Sequence, residues 1–377
     1  MDKTNTAITP PGRPRSRRRM FVAAALCLGL GSGLVLVEVL LRLLGLGYGM
    51  GVLLSDPVLH HVHPTDYLYR GWSATGEYGG FPIRFDAAGW VVDPENREGA
   101  FDPTRHRRLV ALLGDSFVEG LHMPHAESLA GLLGCRAQPD VFVRNYGVSS
   151  YSPVLYLLQW RQMVKADRPA HVFLVLYAND VAGDESYREG ARLGGDGLPV
   201  AVAGPSDSRL VLALRRLYTP RVLRVVFLVL KHRTKPRAAD SEVTVGGFVE
   251  LNPPLSALTE RCLTQLVAEV RDSGARFTLL AVPSKFEALS PGRRVPGGTF
   301  AGHVRTWAAA NGVDYADWVP DFDRAAAQGK KLFYERDVHF NTAGHALAAD
   351  VLAQRHPELF QPASKSAPAE DRSPDKK

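Results

Sequence analysis

The sequence contains very little cysteine. Its 377 residues include only three, Cys27, Cys135 and Cys262. A small and odd number excludes a disulfide framework of the kind that staples small secreted domains. Because Cys135 and Cys262 both fall in predicted helices, we expect two buried thiols; a single disulfide between them in an oxidising compartment is the alternative.

The sequence also lacks internal repeats and any basic segment with interleaved aromatic residues. The net charge is +6, but the excess of Lys and Arg is concentrated at the N-terminus and in one internal segment. This distribution argues against a nucleic-acid partner. His60, His61 and His63 lie close together, but no cysteine or carboxylate accompanies them at ligand spacing, so we expect neither a metal nor a cofactor.

Charge is absent from one long N-terminal stretch. Residues 20–37 carry no charge, and the apolar run continues beyond them with only Glu38 and Arg42 interrupting it. A charge-free run of roughly 18 residues meets the length threshold for a membrane-spanning helix. We therefore predict a transmembrane anchor at 20–46 that follows a basic tail at 1–19.

The arginines of this tail predict a cytoplasmic N-terminus, which places the rest of the chain on the outer side of the membrane. A cleaved signal peptide has the same order of basic and apolar segments and is the alternative. The residues Arg18-Arg19-Met20 also loosely fit a twin-arginine export signal.

The most informative stretch of the sequence joins a buried strand to a candidate nucleophile. Every residue from Leu109 to Leu113 is apolar, which is typical of a parallel strand covered by helices on both faces. In open α/β sheets the ligand crevice lies beyond the carboxyl ends of the strands. Gly114-Asp115-Ser116 ends this strand, so we expect the Ser116 hydroxyl at the crevice.

A serine nucleophile needs a base within hydrogen-bond reach and donors for the oxyanion that it creates. Far downstream, Asp337 and His339 lie two positions apart in a polar turn before a helix. Residues two apart in an extended chain share a face, so the carboxylate can orient the imidazole as a general base.

At these residues the sequence resembles the SGNH (GDSL-type) serine hydrolases, including membrane-anchored bacterial members. The resemblance rests on four blocks in the right order: Gly114-Asp115-Ser116-Phe117, the turn from Asn145 to Ser152, the pair Asn179-Asp180, and Asp337 with His339. It implies that Ser116 is the nucleophile, His339 the base and Asp337 its orienting acid. It also implies an oxyanion hole formed by the Asn179 side chain and by main-chain N–H groups of Ser116 and the second block.

The sequence departs from the family pattern at three places. The family usually has glycine at the positions of Ser150 and Tyr177, and it usually separates acid and base by two residues instead of one. A main-chain donor can come from any residue, so Ser150 can still supply it, and Gly147 is the second candidate. Without the family pattern, Asn179 would be interpreted as a helix cap. We expect structural roles for Asp115 and Asp180, and a capping or packing role for His345.

The order of elements predicts a three-layer α/β/α domain with a parallel, flavodoxin-like sheet of five strands, the SGNH hydrolase fold. The predicted strands are 109–113, 141–145, 172–177, 277–282 and 313–315. The predicted helices are 128–133, 153–164, 255–273, 301–311 and 342–353. The domain spans 105–360, after a neck at 47–104 packed on it and before a disordered tail at 361–377.

An insertion at 182–250 interrupts this domain. Its start is rich in glycine and polar residues and predicts a loop. Residues 210–231 are apolar with interleaved arginines and predict a basic amphipathic helix pair broken at Pro220. The pair could lie on a membrane surface, cover the serine as a lid, or pack against the domain.

The resemblance implies an ester hydrolase that acts through an acyl-enzyme, with O-acyl or O-acetyl esters of cell-envelope or secreted glycans as the expected substrates. An O-acyltransferase acting on a polysaccharide is the first alternative, and a non-catalytic glycan-binding module is the second. The expected location is the bacterial inner membrane, with a single span at 20–46 and the catalytic domain outside the cytoplasm.

Overall fold

The computed structural model describes residues 15–49, 51–73, 76–95, 101–206, 208–233, 252–285 and 298–361. Most of the predicted basic tail, the end of the insertion from residue 234, and the C-terminal tail from residue 362 lie outside these residues.

The N-terminal part consists of one long helix and a small β-rich neck. Helix α1 (Arg15–Leu43) is exposed along its apolar length, and in the described part of the chain it is the one helix long and apolar enough to cross a membrane. Six short strands follow: β1 (Tyr48–Gly49), β2 (Leu54–Asp56), β3 (His60–Val62), β4 (Tyr67–Trp72), β5 (Gly79–Phe85) and β6 (Val91–Val92). They form a sheet in the order β1-β4-β5-β6 and an antiparallel pair β2-β3.

The main domain is built on a five-stranded parallel sheet. Its strands are β7 (Arg108–Gly114), β8 (Val141–Asn145), β9 (His171–Leu176), β12 (Arg276–Ala281) and β13 (Asp314–Tyr315), while β10 (Ala191–Leu193) and β11 (Pro199–Val202) pair separately. The sheet order β13-β12-β9-β7-β8 is the flavodoxin-like order, and every pair in it is parallel. The predicted fold class is confirmed, and each predicted strand end is shifted by at most one residue.

Ten helices follow α1 in the described residues: α2 (Ser116–Glu119), α3 (Leu129–Arg136), α4 (Pro153–Gln162), α5 (Asn179–Glu189), α6 (Arg209–Arg215), α7 (Tyr218–Arg233), α8 (Ala257–Asp272), α9 (Phe300–Ala310), α10 (Val319–Ala327) and α11 (Thr342–Arg355). Among them, α4, α8 and α9 cover one face of the sheet, and α3, α10 and α11 cover the other. Ala111 and Leu113 pack toward α4, α8 and α9, whereas Val110 and Leu112 pack toward α3, α10 and α11. Two buried faces explain why β7 is apolar without alternation.

The insertion differs from its prediction in two respects. Its first residues are helical, because α5 runs to Glu189 and buries Asp180, Asp184 and Tyr187 on one face. A helical stripe of polar and aromatic residues produces no hydrophobic periodicity, so the sequence suggested a loop. The helix pair breaks at Arg216 and Leu217 instead of Pro220. Pro220 lies in the first turn of α7, where the missing N–H costs no helical hydrogen bond.

The prediction of two buried thiols holds for one of them. Cys262 is buried in α8, but Cys135 is exposed. Cys135 belongs to the last turn of α3, whose buried face is formed by Leu129, Ala130 and Leu133.

His345 makes the stability of this domain depend on pH. It is buried in α11, and its Nδ1 accepts the N–H of Leu129 at 3.0 Å. Burial lowers the pKa of His345 to about 3. The unfolded chain takes up this proton near pH 6.5 and the folded chain does not, so the contribution of His345 to stability is complete above pH 6.5 and falls as the pH drops toward 3.

Replacing His345 by asparagine keeps an acceptor near the Nδ1 position and removes the titration. Between pH 6 and pH 4 we expect the free energy of unfolding of His345→Asn to fall less steeply than that of the wild type, by about 1.4 kcal/mol per pH unit. Denaturant titrations followed by tryptophan fluorescence measure this slope. Equal slopes would show that the buried imidazole accepts the proton in the folded state.

Candidate active site

The Ser116 hydroxyl is placed by a sharp turn between β7 and α2. Gly114 ends the strand, and a Cβ there would lie 2.4 Å from the side chain of Val118 and 3.0 Å from the carbonyl oxygen of Val175, so only glycine fits. Asp115 then caps α2 by accepting the N–H of Phe117 at 3.0 Å. This is the structural role expected for Asp115, and it leaves Ser116 at the carboxyl edge of the sheet.

The structure brings Ser116, His339 and Asp337 into one hydrogen-bonded chain. The Oγ of Ser116 lies 2.7 Å from Nε2 of His339, and Nδ1 of His339 lies 2.5 Å from Oδ1 of Asp337. Oδ1 of Asp337 also accepts the main-chain N–H of His339 at 3.0 Å. The acid therefore reaches the base although only one residue separates them.

The charges of the site favour an ionised acid beside the imidazole. Burial would raise the pKa of Asp337, but the hydrogen bond to His339 and the electrostatic interaction with its ring outweigh burial and hold this pKa well below its usual value. Tyr78 points its hydroxyl at Oδ2 of Asp337 over 3.3 Å. Burial and the charge of Asp337 raise the pKa of Tyr78, so the phenol stays protonated and donates this bond.

The three candidate oxyanion residues differ in whether their hydrogen-bond donors already have an acceptor. In the described part of the chain, the main-chain N–H groups of Ser116 and Ser150 have no acceptor, whereas that of Gly147 donates to Oδ1 of Asn145 at 2.9 Å. Asn179 is exposed at the start of α5, and its side chain helps to lower the pKa of Asp115, which burial raises to about 6. Asn179 therefore lies beside the residue that precedes Ser116.

The Ser150 backbone explains why glycine is usual at this position. Its φ is 65°, in the left-handed region that favours glycine. Serine accepts this conformation at a cost of about 1 kcal/mol or more. Tyr187 of α5 supports it by donating its hydroxyl to the Ser150 carbonyl at 2.9 Å.

A model of the GDSL-like lipase/acylhydrolase family matches residues 112–347, which include all four blocks. The chain belongs to this family. It is thus an ester-hydrolysing enzyme of the GDSL type. No curated protein matches the sequence.

Three solved structures are similar to this GDSL-type hydrolase at low sequence identity. An acetylxylan esterase from Geobacillus stearothermophilus is 18% identical, with 66% of this chain and 94% of that chain covered and a TM-score of 0.36. An α/β hydrolase from the metagenome of Lake Arreo is 16% identical, with 66% and 95% covered and a TM-score of 0.39. The acetyl xylan esterase AlAXEase is 14% identical, with 66% and 98% covered and a TM-score of 0.38.

Several residues of this GDSL-type hydrolase contact the site but were not identified as site residues from the sequence. His61 of the neck lies with Nε2 2.8 Å from the carbonyl oxygen of Ser149, beside Ser150. The Ser149 hydroxyl donates to Glu119, whose other oxygen lies 2.6 Å from Nε2 of His63. The neighbouring histidines that first suggested a metal site therefore hold the Ser149-Ser150 turn.

His122 lies against the imidazole of His339. Its ring stacks on that of His339 with centroids 3.7 Å apart and an angle of 22° between the planes. Burial, followed by the electrostatic interaction with His339, lowers the pKa of His122 well below its usual value, so its ring is neutral. A neutral ring can remain stacked on His339 in either protonation state of that imidazole, and so fixes its plane.

His122, Asp337 and His339 are also the one group of potential metal ligands found in the described residues, with their ligand atoms within 4.8 Å of one another. Both ring nitrogens of His339 are directed at Ser116 and Asp337. The lone pairs of nearly parallel stacked rings do not converge on one point. The arrangement therefore fits an acid-base pair better than a metal centre.

The loop that carries the acid and the base, residues 334–339, is fixed from two sides. Lys285 donates its ammonium group to the carbonyl oxygens of Tyr334, Glu335 and Asp337, at 2.8, 2.9 and 3.1 Å. From the neck, the carboxylate of Glu77 accepts the main-chain N–H groups of Glu335 and Arg336. The neck thus takes part in placing Asp337.

Glu77 provides a test of this coupling. In Glu77→Ala two N–H groups of the loop lose their acceptor. We expect kcat to fall about tenfold with KM nearly unchanged, because a misplaced His339 destabilises the transition state more than it weakens substrate binding. Glu77→Gln keeps one acceptor oxygen and should recover most of the rate. Steady-state kinetics on p-nitrophenyl acetate measure both. A loss confined to KM would assign Glu77 to substrate binding instead.

Proposed function

We propose that this enzyme removes small acyl groups, acetyl foremost, from glycans outside the cytoplasm, with Ser116 as nucleophile, His339 as general base and Asp337 as its orienting acid. The observation that carries the proposal is the continuous contact from the Ser116 hydroxyl through the imidazole to an ionised carboxylate. Such an assembled set also argues against a non-catalytic binding module, because that function needs no such chain of contacts.

The reaction has two halves. Ser116 Oγ attacks the ester carbonyl carbon while its proton passes to Nε2 of His339, and the oxyanion accepts bonds from the unpaired N–H groups of Ser116 and Ser150 and from the Asn179 side chain. Collapse breaks the ester C–O bond, and His339 returns the proton to the sugar oxygen. Water then repeats the sequence on the acyl-enzyme and releases the carboxylic acid.

Helix α1 supports the proposed location. Its exposed apolar length supports a membrane anchor, and the basic residues on the N-terminal side of that length support a cytoplasmic N-terminus. The catalytic domain would then face the compartment in which acylated envelope glycans occur. This is the reason for preferring glycan esters as substrates.

The test uses the purified full-length protein in detergent. We expect release of acetate from O-acetylated polysaccharides, and turnover of p-nitrophenyl esters that declines as the acyl chain lengthens from acetate to decanoate. Ser116→Ala serves as the blank. Preference for long acyl chains with no acetate from any glycan would overturn the proposal in favour of lipid esters. Acetyl transfer to added oligosaccharide without free acetate would indicate an acyltransferase.

A further inference from the structure

Helix α7 begins beside the last turns of α1, inside the predicted membrane span at 20–46. The carboxylate of Glu38 accepts the main-chain N–H groups of Tyr218 at 3.0 Å and Thr219 at 2.8 Å, and Arg42 donates to the Arg216 carbonyl at 2.9 Å. Glu38 is the first charged residue after the uncharged run at 20–37. The start of α7 is therefore attached to α1 where the uncharged part of the predicted span ends.

One face of α7 packs on the neck. The Tyr218 hydroxyl donates to the Leu68 carbonyl, and the Arg221 guanidinium lies 4.6 Å from the ring centre of Tyr69. One helical turn further on, Val225 and Leu228 face the same side of the neck. These contacts direct α7 toward α1, β1 and β4, and they do not cover Ser116, which disfavours a lid.

The opposite face of α7 is apolar and exposed. Leu223, Val226, Phe227 and Leu230 are 60%, 48%, 63% and 57% exposed. Their spacing of i, i+3, i+4 and i+7 makes one continuous row, here called the α7 stripe. Exposing a continuous row of apolar side chains to water is unfavourable. The α7 stripe therefore indicates a surface that a membrane or another molecule covers.

The chemistry around the stripe identifies what covers it. Residues 209–233 contain six arginines, Lys231 and His232 but neither aspartate nor glutamate. A basic helix with one apolar face is typical of helices that lie in the headgroup region of anionic bilayers. The stripe also belongs to a helix attached to the end of α1, whose own exposed apolar surface enters the bilayer under the anchor proposed above.

We propose that α7 is an interfacial helix that inserts the α7 stripe into the leaflet in which α1 ends, at the boundary of headgroups and acyl chains. This inference rests on the proposed anchor and adds a second attachment to it. Two attachments fix the orientation of the neck, and hence of the catalytic domain, relative to the membrane surface. Of the three roles that the sequence left open for this segment, the structure favours the membrane surface.

The test places a bimane label at single cysteines in the full-length protein, with the three native cysteines replaced. Phe227→Cys probes the stripe, Leu30→Cys probes α1, and Gln328→Cys, at the exposed end of α10, is the water-facing control. Each protein is reconstituted in vesicles of phosphatidylcholine and phosphatidylglycerol, with bromine atoms at shallow or deep positions of the acyl chains. Bromine quenches bimane only at short range.

We expect shallow bromines to quench the label at position 227 about twofold or more, deep bromines to act most on position 30, and neither to act on position 328. If position 30 is quenched and position 227 behaves like position 328, the anchor stands and the interfacial helix is wrong. If neither 30 nor 227 is quenched, both proposals fail. A label at 227 that is shielded from water but not quenched would indicate self-association and would also overturn the inference.

Discussion

Ser116→Ala is expected to lower kcat on p-nitrophenyl acetate by at least about 10⁴-fold and to abolish labelling by a fluorophosphonate probe. The substitution removes the one oxygen that lies 2.7 Å from Nε2 of His339, so no acyl-enzyme can form. Residual turnover would then come only from water activated by His339 in the oxyanion hole. KM should change little, because the hydroxyl contributes mainly to the transition state.

The control separates loss of chemistry from loss of fold. Ser256→Ala removes the same atom at the N-cap of α8, where the hydroxyl accepts the N–H of Thr259 at 3.2 Å. We expect this variant to lose about 1 kcal/mol of stability and to keep its kinetics. Ser116→Ala should show the reverse, with stability unchanged within error. Normal labelling in Ser116→Ala would place the nucleophile on another residue.

The parts of the site that the sequence predicted are those encoded locally. The apolar run at 109–113 is continuous because β7 is covered on both faces, and Gly114 is required because any Cβ would strike Val118. Strand-end residues of a parallel sheet meet at one edge, so the strand pattern was enough to predict Ser116 at the crevice, whereas the oxyanion role of Asn179 came from the family resemblance. For His339 and Asp337 the residue types and their spacing predicted an oriented general base, and the family pattern supplied its assignment to Ser116.

The parts that the sequence did not predict depend on contacts between distant segments. Glu77 lies 258 residues before Glu335, whose N–H it accepts, and nothing in the composition of the neck indicates this contact. His61 and His63 were considered only as metal ligands, since a pattern of histidines does not show that their partners are Ser149 and Glu119. His122 could have been suspected, because it follows the nucleophile by six residues, but its stacking on His339 requires the fold.

Asp337→Asn is expected to lower kcat by about 10³- to 10⁴-fold while leaving the fold intact. In the wild type the carboxylate accepts the Nδ1 proton of His339, so that Nε2 is free to take the proton of Ser116. An asparagine amide can instead donate to Nδ1, which favours the tautomer with its proton on Nε2. That tautomer cannot act as a base toward Ser116.

This substitution tests whether Asp337, which is separated from His339 by one residue, orients the imidazole in the same way as the acid that the family usually separates from its base by two residues. Asp140→Asn, which breaks a surface ion pair with Arg108 at 2.8 Å, is the matched control and should keep full activity. The measurement is kcat on p-nitrophenyl acetate together with the rate of fluorophosphonate labelling, which should fall in parallel. A loss of less than about tenfold would show that another group orients His339. The stacked ring of His122 would then be the first to examine, through His122→Ala in the Asp337→Asn background.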